Sequence, residues 1–109
     1  MRGSVYIENM LIGEVDFRIL DLSTGNIGGT LFPSENYHLF KSAIQQLTIT
    51  KGLADYTDFN FSATFIDHTR LEPYNTITIT DYPDFDEVYV ECEGVPESII
   101  KKVAEHNSH

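Results

Sequence analysis

The chain has 109 residues, the size of one ordinary domain, and 41% of them are hydrophobic, which is enough for a buried core. Its 17 acidic and 7 basic residues give a net charge of −10. This charge disfavours direct binding to nucleic-acid phosphates or to anionic membranes, and basic proteins, cations and neutral ligands stay open as partners.

The N-terminal part of the chain predicts two strands. Residues 1–4 resemble a vector-derived leader, and we assign them no structural role. The mostly apolar stretch 5–12 predicts a first strand, which Gly13 interrupts as a bulge or a tight turn would. Residues 14–22 begin with a strict alternation of polar and apolar side chains, which predicts a strand with one buried face.

A turn and a return strand follow. Residues 23–26 are Ser, Thr, Gly and Asn, a composition typical of turns, and residues 27–32 predict a short strand. The adjacent Gly28 and Gly29 suit close approach of another backbone. These glycines lack the spacing of a phosphate-binding loop, so no phosphate site is predicted.

Residues 34–49 predict the main helix. Ser34 is expected to cap its N-terminus, and Gly52 is expected just past its C-terminus. Its apolar stripe, with spacings of three and four residues, must lie on a sheet because one helix cannot bury it alone. The stripe consists of Tyr37, Phe40, Ile44 and Leu47.

Residues 59–65 alternate between apolar and polar side chains over their whole length. Phe59, Phe61 and Phe65 therefore point to the same side of a strand. Three exposed rings would form a large apolar patch, so we expect them to be buried beneath the main helix.

An acidic hairpin is predicted within residues 71–97, which contain eight acidic residues and no Lys or Arg. Two alternating stretches, 76–80 and 88–92, predict antiparallel strands. The intervening residues 81–86 are rich in Asp and include Pro83, which predicts a turn. We expect the tip to present carboxylates beside two aromatic rings.

A partner-binding surface is predicted on this hairpin. An acidic turn alone is most often a solvated face, and the two rings are what favour recognition of a protein. A calcium loop is disfavoured because the carboxylates lack the alternating spacing and the glycine of an EF-hand. The predicted partner-binding residues are Asp81, Tyr82, Asp84, Phe85, Asp86, Glu87, Glu91 and Glu93.

The C-terminal part predicts a short amphipathic helix that begins at Pro96 and ends near His106, with residues 107–109 frayed. The order of elements is then β-β-β-α-β-β-β-α. This order predicts an α+β fold with a mostly antiparallel sheet of about five to six strands. One main helix packs on one face of the sheet.

No catalytic or metal-binding residues are predicted. The four histidines are dispersed and lack ligand spacing. Asp67 and His68 lie near a strand end, but adjacent strand residues point to opposite faces, which disfavours an acid–base pair. Cys92 shares a strand face with Val88 and Val90 and is expected to be buried rather than nucleophilic. No cofactor and no enzymatic turnover are predicted.

Two features bear on location. No apolar run reaches the roughly 20 residues of a membrane-spanning helix. The single cysteine, Cys92, excludes an internal disulfide and favours a reducing compartment. We expect one cytoplasmic domain over residues 1–109.

The leading hypothesis is a small acidic module that masks a basic protein surface, as an inhibitor, an immunity-type protein or a mimic of nucleic-acid charge. One alternative is a small-ligand or cation-binding domain that uses Gly28, Gly29, Asp67 and His68. Another is a structural homodimer that pairs through a sheet edge.

Overall fold

The computed structural model describes residues 1–72 and 76–107 and shows an α+β fold with one curled antiparallel sheet, which confirms the predicted fold class. Within these residues the strands are β1 (Arg2–Ile7), β2 (Met10–Asp16), β3 (Arg18–Asp21), β4 (Asn26–Pro33), β5 (Phe61–Phe65), β6 (Ile77–Thr80) and β7 (Val88–Cys92). A 3₁₀-helix (Glu35–Leu39) precedes helix α1 (Lys41–Lys51), and the other helix is α2 (Glu97–Asn107). No helix in the described part is long and apolar enough to cross a membrane.

The strands lie in the order β5-β1-β2-β4-β7-β6, and each neighbouring pair is antiparallel. β3 continues the line of β2 along the same edge of β4 after a break at Phe17. The predicted strand 14–22 is therefore present as two consecutive segments. Side chains on one side of the sheet fill the core, among them the fully buried Val15, Ile27 and Val90.

The prediction of a single strand over residues 5–12 is wrong, because this segment contains the turn of the β1–β2 hairpin. The chain reverses at Glu8, which adopts a left-handed φ of 54°. The Glu8 N–H donates to the Asn60 carbonyl oxygen at 2.9 Å, which fastens the turn to the chain entering β5. Gly13 lies opposite Val5 at a register shift, so the predicted bulge is present.

Residues 1–4 belong to the fold, so the expectation that they have no structural role is wrong. Met1 is buried, and its amino group donates to the Phe17 carbonyl oxygen at 2.8 Å. Gly3 lies on the Phe17 ring, where a Cβ would be only 2.8 Å from Cε2. Gly3, one of the four residues that resemble a leader, therefore lets β1 pass over a buried ring.

Helix α2 is confirmed close to its predicted bounds, but its last residue is not frayed. Asn107 donates from Nδ2 to the Phe17 carbonyl oxygen at 3.1 Å and accepts from the Met1 amino group at 2.8 Å. These contacts hold the end of α2 beside the break between β2 and β3. The rest of the predicted tail, 108–109, and residues 73–75 of the acidic segment lie outside the described residues.

The predicted helix 34–49 is divided into the 3₁₀-helix and α1. Ser34 does not cap it, because its hydroxyl donates to the Leu11 carbonyl oxygen at 2.6 Å instead. Gly52 ends α1 with a left-handed φ of 96°, as predicted. The buried side chains of the two helical segments are Tyr37, Ile44 and Thr48.

The predicted phenylalanine face is part of the core. Phe61 and Phe65 are 1% and 2% exposed. The Phe59 ring meets the Phe40 ring edge to face, with centroids 5.7 Å apart, so it packs against the helical segment as expected. Phe65 packs instead on Phe17, with centroids 5.3 Å apart. The rings therefore connect β5 both to the helical layer and to the break after β2.

Replacing Phe61 with Ala tests this core. We expect the free energy of unfolding to fall by ~3–5 kcal/mol, because a buried ring is removed and a cavity remains. Urea unfolding followed by circular dichroism measures the change. Leu39→Ala is the control, since Leu39 is 70% exposed. A loss below about 1 kcal/mol for Phe61→Ala would contradict the buried position.

Candidate functional site

The predicted acidic hairpin is present. Strands β6 and β7 pair with Thr80 opposite Tyr89, and residues 81–87 connect them. Tyr82 is 43% exposed and Phe85 is 67% exposed. Their ring centroids lie 6.1 Å apart at an interplanar angle of 89°, an edge-to-face contact. The connection therefore presents a packed pair of rings to solvent.

Three carboxylates accompany these rings on the connection, and all three side chains are exposed. We name this set the tip surface; it consists of Tyr82, Asp84, Phe85, Asp86 and Glu87. The Phe85 N–H donates to the Tyr82 carbonyl oxygen at 3.0 Å, which closes a tight turn. The structure thus brings together five of the residues predicted to bind a partner.

Asp81 is not on the tip surface, and its prediction as an exposed carboxylate is wrong. It is 1% exposed. The Tyr37 hydroxyl donates to Asp81 Oδ2 at 2.6 Å, and Gln45 Nε2 donates to Oδ1 at 3.2 Å. The Asp81 N–H donates to Thr48 Oγ1 at 3.0 Å. Asp81 therefore anchors the base of the hairpin to the helical segments.

The alternation of β6 explains the burial of Asp81. Ile77 and Ile79 are fully buried, and Asp81 continues their side of the strand two residues further on. In the sequence, the turn-like composition of residues 81–86 hides this alternation, so the sequence predicts Asp81 in the turn. The hydroxyl of Tyr37, which the sequence indicated only as part of an apolar stripe, supplies the donor that a buried carboxylate needs.

The Tyr37 phenol should make stability fall at high pH. Burial, together with its hydrogen bond to the Asp81 carboxylate, raises the pKa of Tyr37 above its usual value. The resulting stabilisation is fully present below the unfolded-state pKa of about 10 and is lost as the pH rises above it, at up to about 1.4 kcal/mol per pH unit.

Tyr37→Phe should remove this contribution to the alkaline slope of the free energy of unfolding. Urea titrations of the wild type and the variant at several pH values from neutral to alkaline measure the slope. Tyr82→Phe, which removes a hydroxyl from an exposed ring, is the matched control. Equal slopes in the wild type and Tyr37→Phe would contradict the assigned cause.

Glu91 and Glu93 lie toward the other end of β7 from the tip surface. Glu91 is half-buried and accepts a hydrogen bond from Asn26 Nδ2 at 3.4 Å, whereas Glu93 is exposed. A strand advances ~3.3 Å per residue, so Glu93 lies about 20 Å from Glu87. Glu91 and Glu93 are therefore not part of the tip surface.

Glu93 borders an open groove of about 530 Å³, which we name the polar groove. Its lining comprises Thr24, Asn26, Asp55, Tyr56, Thr76, Thr78, Glu93 and Gly94. The Tyr56 ring is 58% exposed, and Asn26 Oδ1 is buried with no hydrogen-bond partner among the described residues. The sequence did not indicate this groove because its residues come from segments far apart in the chain.

Asp67 and His68 do not form an acid–base pair. Asp67 accepts hydrogen bonds from the Thr69 N–H at 3.0 Å and from Lys102 Nζ at 3.2 Å. Hydrogen bonds from Thr69, followed by the Lys102 ammonium, lower the pKa of Asp67 to about 2. His68 is exposed, with a left-handed φ of 70°. Asp67 is therefore ionised and engaged near neutral pH, which makes it a poor general base.

The glycine pair and the cysteine have structural positions. A Cβ on Gly28 would lie 2.5 Å from the Val90 carbonyl oxygen, and one on Gly29 would lie 2.6 Å from the Asp16 carbonyl oxygen. Close packing of neighbouring strands explains both glycines. Cys92 is buried as predicted, and burial raises the pKa of its thiol, which disfavours the nucleophilic thiolate.

Within residues 1–72 and 76–107, no three or more His, Cys, Asp and Glu side chains are grouped to hold a metal ion. We expect EDTA to leave the melting temperature unchanged and Ca²⁺ not to raise it, because a ligand stabilises only the state that binds it. Thermal unfolding with each additive checks this. A Ca²⁺-dependent rise that disappears in Asp84→Asn would assign a metal to the tip surface instead.

Comparison with protein-family models gives no match, and the searches of curated proteins and of solved structures give none either. The fold and these surfaces define a small α+β domain with an acidic, aromatic hairpin tip and a separate polar groove. Its function is therefore inferred from the exposure, charge and packing of its own residues.

Proposed function

We propose that this protein is a small acidic binding module that masks a basic surface on another protein with its tip surface. One observation carries the proposal: Tyr82 and Phe85 form an exposed edge-to-face pair among exposed carboxylates. Burial of the rings by a partner is favourable, and their mutual contact reduces the entropy lost on binding. The carboxylates complement Lys and Arg side chains.

The base of the hairpin supports this proposal. Tyr37, Gln45 and Thr48 hold Asp81 by three hydrogen bonds immediately before Tyr82. A recognition surface that is already held in place loses less conformational freedom on binding. The Asp81 contacts therefore favour a role for the tip surface in recognition over a role as a plain solvated turn.

Charge favours the same kind of partner. The net charge of −10 attracts a basic protein over a distance and repels nucleic acid. The module would act as an inhibitor or immunity-type protein over a basic active site, or as a mimic of nucleic-acid charge. We propose a cytoplasmic location, because the one cysteine is free and buried and a reducing compartment keeps thiols in this state.

Charge reversal at the tip tests the proposal by kinetics. A partner is first captured from the native host on the immobilised chain at low salt and then purified. Changing Asp84 and Asp86 to Lys should slow its association about tenfold, because electrostatic attraction speeds encounter. Surface plasmon resonance over a range of salt concentrations measures the rate, and the wild-type rate should fall as salt rises.

A matched control distinguishes the effect of where the charges lie from the effect of the total charge of the chain. Changing Asp21 and Glu97 to Lys alters the net charge equally, at exposed positions away from the tip, at the end of β3 and at the start of α2. This control should slow association much less than the change at the tip. Equal slowing by both double variants would show that only the net charge matters and would remove the tip surface from the proposal.

Truncation of the exposed ring should affect a different rate. Phe85→Ala should mainly speed dissociation, about tenfold, because an anchoring ring acts after the surfaces have met. Tyr56→Ala is the control, since that ring is similarly exposed but lies in the polar groove. Wild-type kinetics in Phe85→Ala and in the Asp84 and Asp86 double variant would contradict binding through the tip.

The polar groove favours a second candidate function, binding of a small polar ligand. Asp55 and Glu93 place carboxylates beside the exposed Tyr56 ring, a combination suited to hydroxyl-bearing or amine ligands. A fragment screen by nuclear magnetic resonance should then shift the signals of Tyr56 and Thr78, and Glu93→Gln should reduce the shifts. An absence of hits confined to the groove would contradict this candidate.

A further inference from the structure

The outer face of the sheet, which points away from the core, has exposed apolar side chains. Leu20 is 43% exposed, Phe32 is 58% exposed and Tyr89 is 37% exposed. They border a shallow depression of about 340 Å³ whose lining includes Gly28 and Thr30. We name these five residues the outer patch. Each exposed apolar side chain would gain from burial against another surface.

Charged residues beside the outer patch include two pairs of opposite sign. Arg18 Nη2 lies 3.4 Å from Asp16 Oδ2, and Arg2 Nη1 lies 3.2 Å from Glu14 Oε2. These four side chains are between 45% and 68% exposed, so these ion pairs are weak. Asp16 Oδ1 also accepts a hydrogen bond from the Met1 amino group at 3.2 Å. The two pairs sum to zero in a chain whose net charge is −10. The half-buried Glu91 and the exposed Asp21, which lies opposite Asn26, add negative charge to this face, so the face is weakly negative.

A second copy of the chain complements this arrangement. Two chains of charge −10 repel each other, so contact between them is least unfavourable where the local charge is small. In a two-fold contact the same patch meets itself. Each arginine then meets a carboxylate of the other copy while the apolar side chains are buried. A basic partner would be attracted to the tip surface more strongly than to this weakly charged face.

The ends of the sheet are less suited to self-association. The Leu71 N–H donates to the Ala63 carbonyl oxygen at 3.0 Å along the outer edge of β5. Ala54 and Ile79 exchange two backbone hydrogen bonds of 2.8 and 2.9 Å along the outer edge of β6. At these positions, other segments of the same chain already bond to the outer edges of β5 and β6. This disfavours the edge-to-edge homodimer considered from the sequence.

We propose that two copies of this protein form a two-fold dimer through the outer patch. The proposal is independent of partner binding by the tip surface. Phe32 and Glu14 are directly opposite each other on β4 and β2, which places an apolar anchor next to a charge that the second copy can pair. The dimer leaves the tip surface of each copy free for its own partner.

Sedimentation equilibrium of the full chain over a range of concentrations tests the dimer. The wild type should show a reversible monomer–dimer equilibrium. Phe32→Ser should weaken dimerisation about tenfold or more, since a central aromatic residue is a typical interface hot spot. Ile49→Ser, at a residue 61% exposed on α1, should leave it unchanged. Circular dichroism and melting temperature confirm that each variant is folded.

Charge variants keep the test decisive if Phe32→Ser does not fold. Arg2→Glu should weaken dimerisation because it makes the face more negative, and adding Glu14→Arg should restore it. A monomeric wild type at every concentration, or equal weakening by Phe32→Ser and Ile49→Ser, would overturn the proposal. Either result would leave binding by the tip surface intact, because that function is measured on Asp84 and Phe85.

Discussion

The hydrogen bond between Tyr37 and Asp81 is the contact on which the geometry of the hairpin depends. A carboxylate buried to 1% exposure is costly unless its oxygens are hydrogen-bonded, and Tyr37 and Gln45 supply the donors. Loss of one such partner typically costs about 1–3 kcal/mol. The helical segments thereby determine where β6 ends and where the exposed tip begins. Asp81 is the residue that joins the helical layer to the sheet.

A second junction holds the other side of the molecule. The Phe17 carbonyl oxygen accepts hydrogen bonds from the Met1 amino group and from Asn107 Nδ2. Met1 and Asn107 therefore meet at the break between β2 and β3, at the residue whose ring packs on Phe65. The two proposed protein-contact surfaces differ in character: the tip surface on the connection between β6 and β7 has concentrated negative charge, and the outer patch on the sheet is apolar.

The local sequence pattern was sufficient to predict burial where a single periodicity of apolar residues ran through the whole segment. The alternation around Phe61 and Phe65 predicted a buried strand, and the same pattern in residues 88–92 predicted the burial of Cys92. It failed where local composition and tertiary contacts disagreed. Residues 5–12 contain no strong turn signal, and their reversal at Glu8 is held by a hydrogen bond to Asn60, a residue far away in the sequence.

The sequence by itself determined the α+β class, the acidic hairpin and the exposed rings Tyr82 and Phe85, because periodicity, turn composition and charge are properties of neighbouring residues. Only the tertiary structure decided that Asp81 is buried, that Glu93 belongs to a different surface, and that Phe32 shares a face with Tyr89. Burial and shared surfaces depend on which distant strands pair and where the helices pack. Those pairings are made by contacts between residues far apart in the chain, which local sequence patterns do not encode.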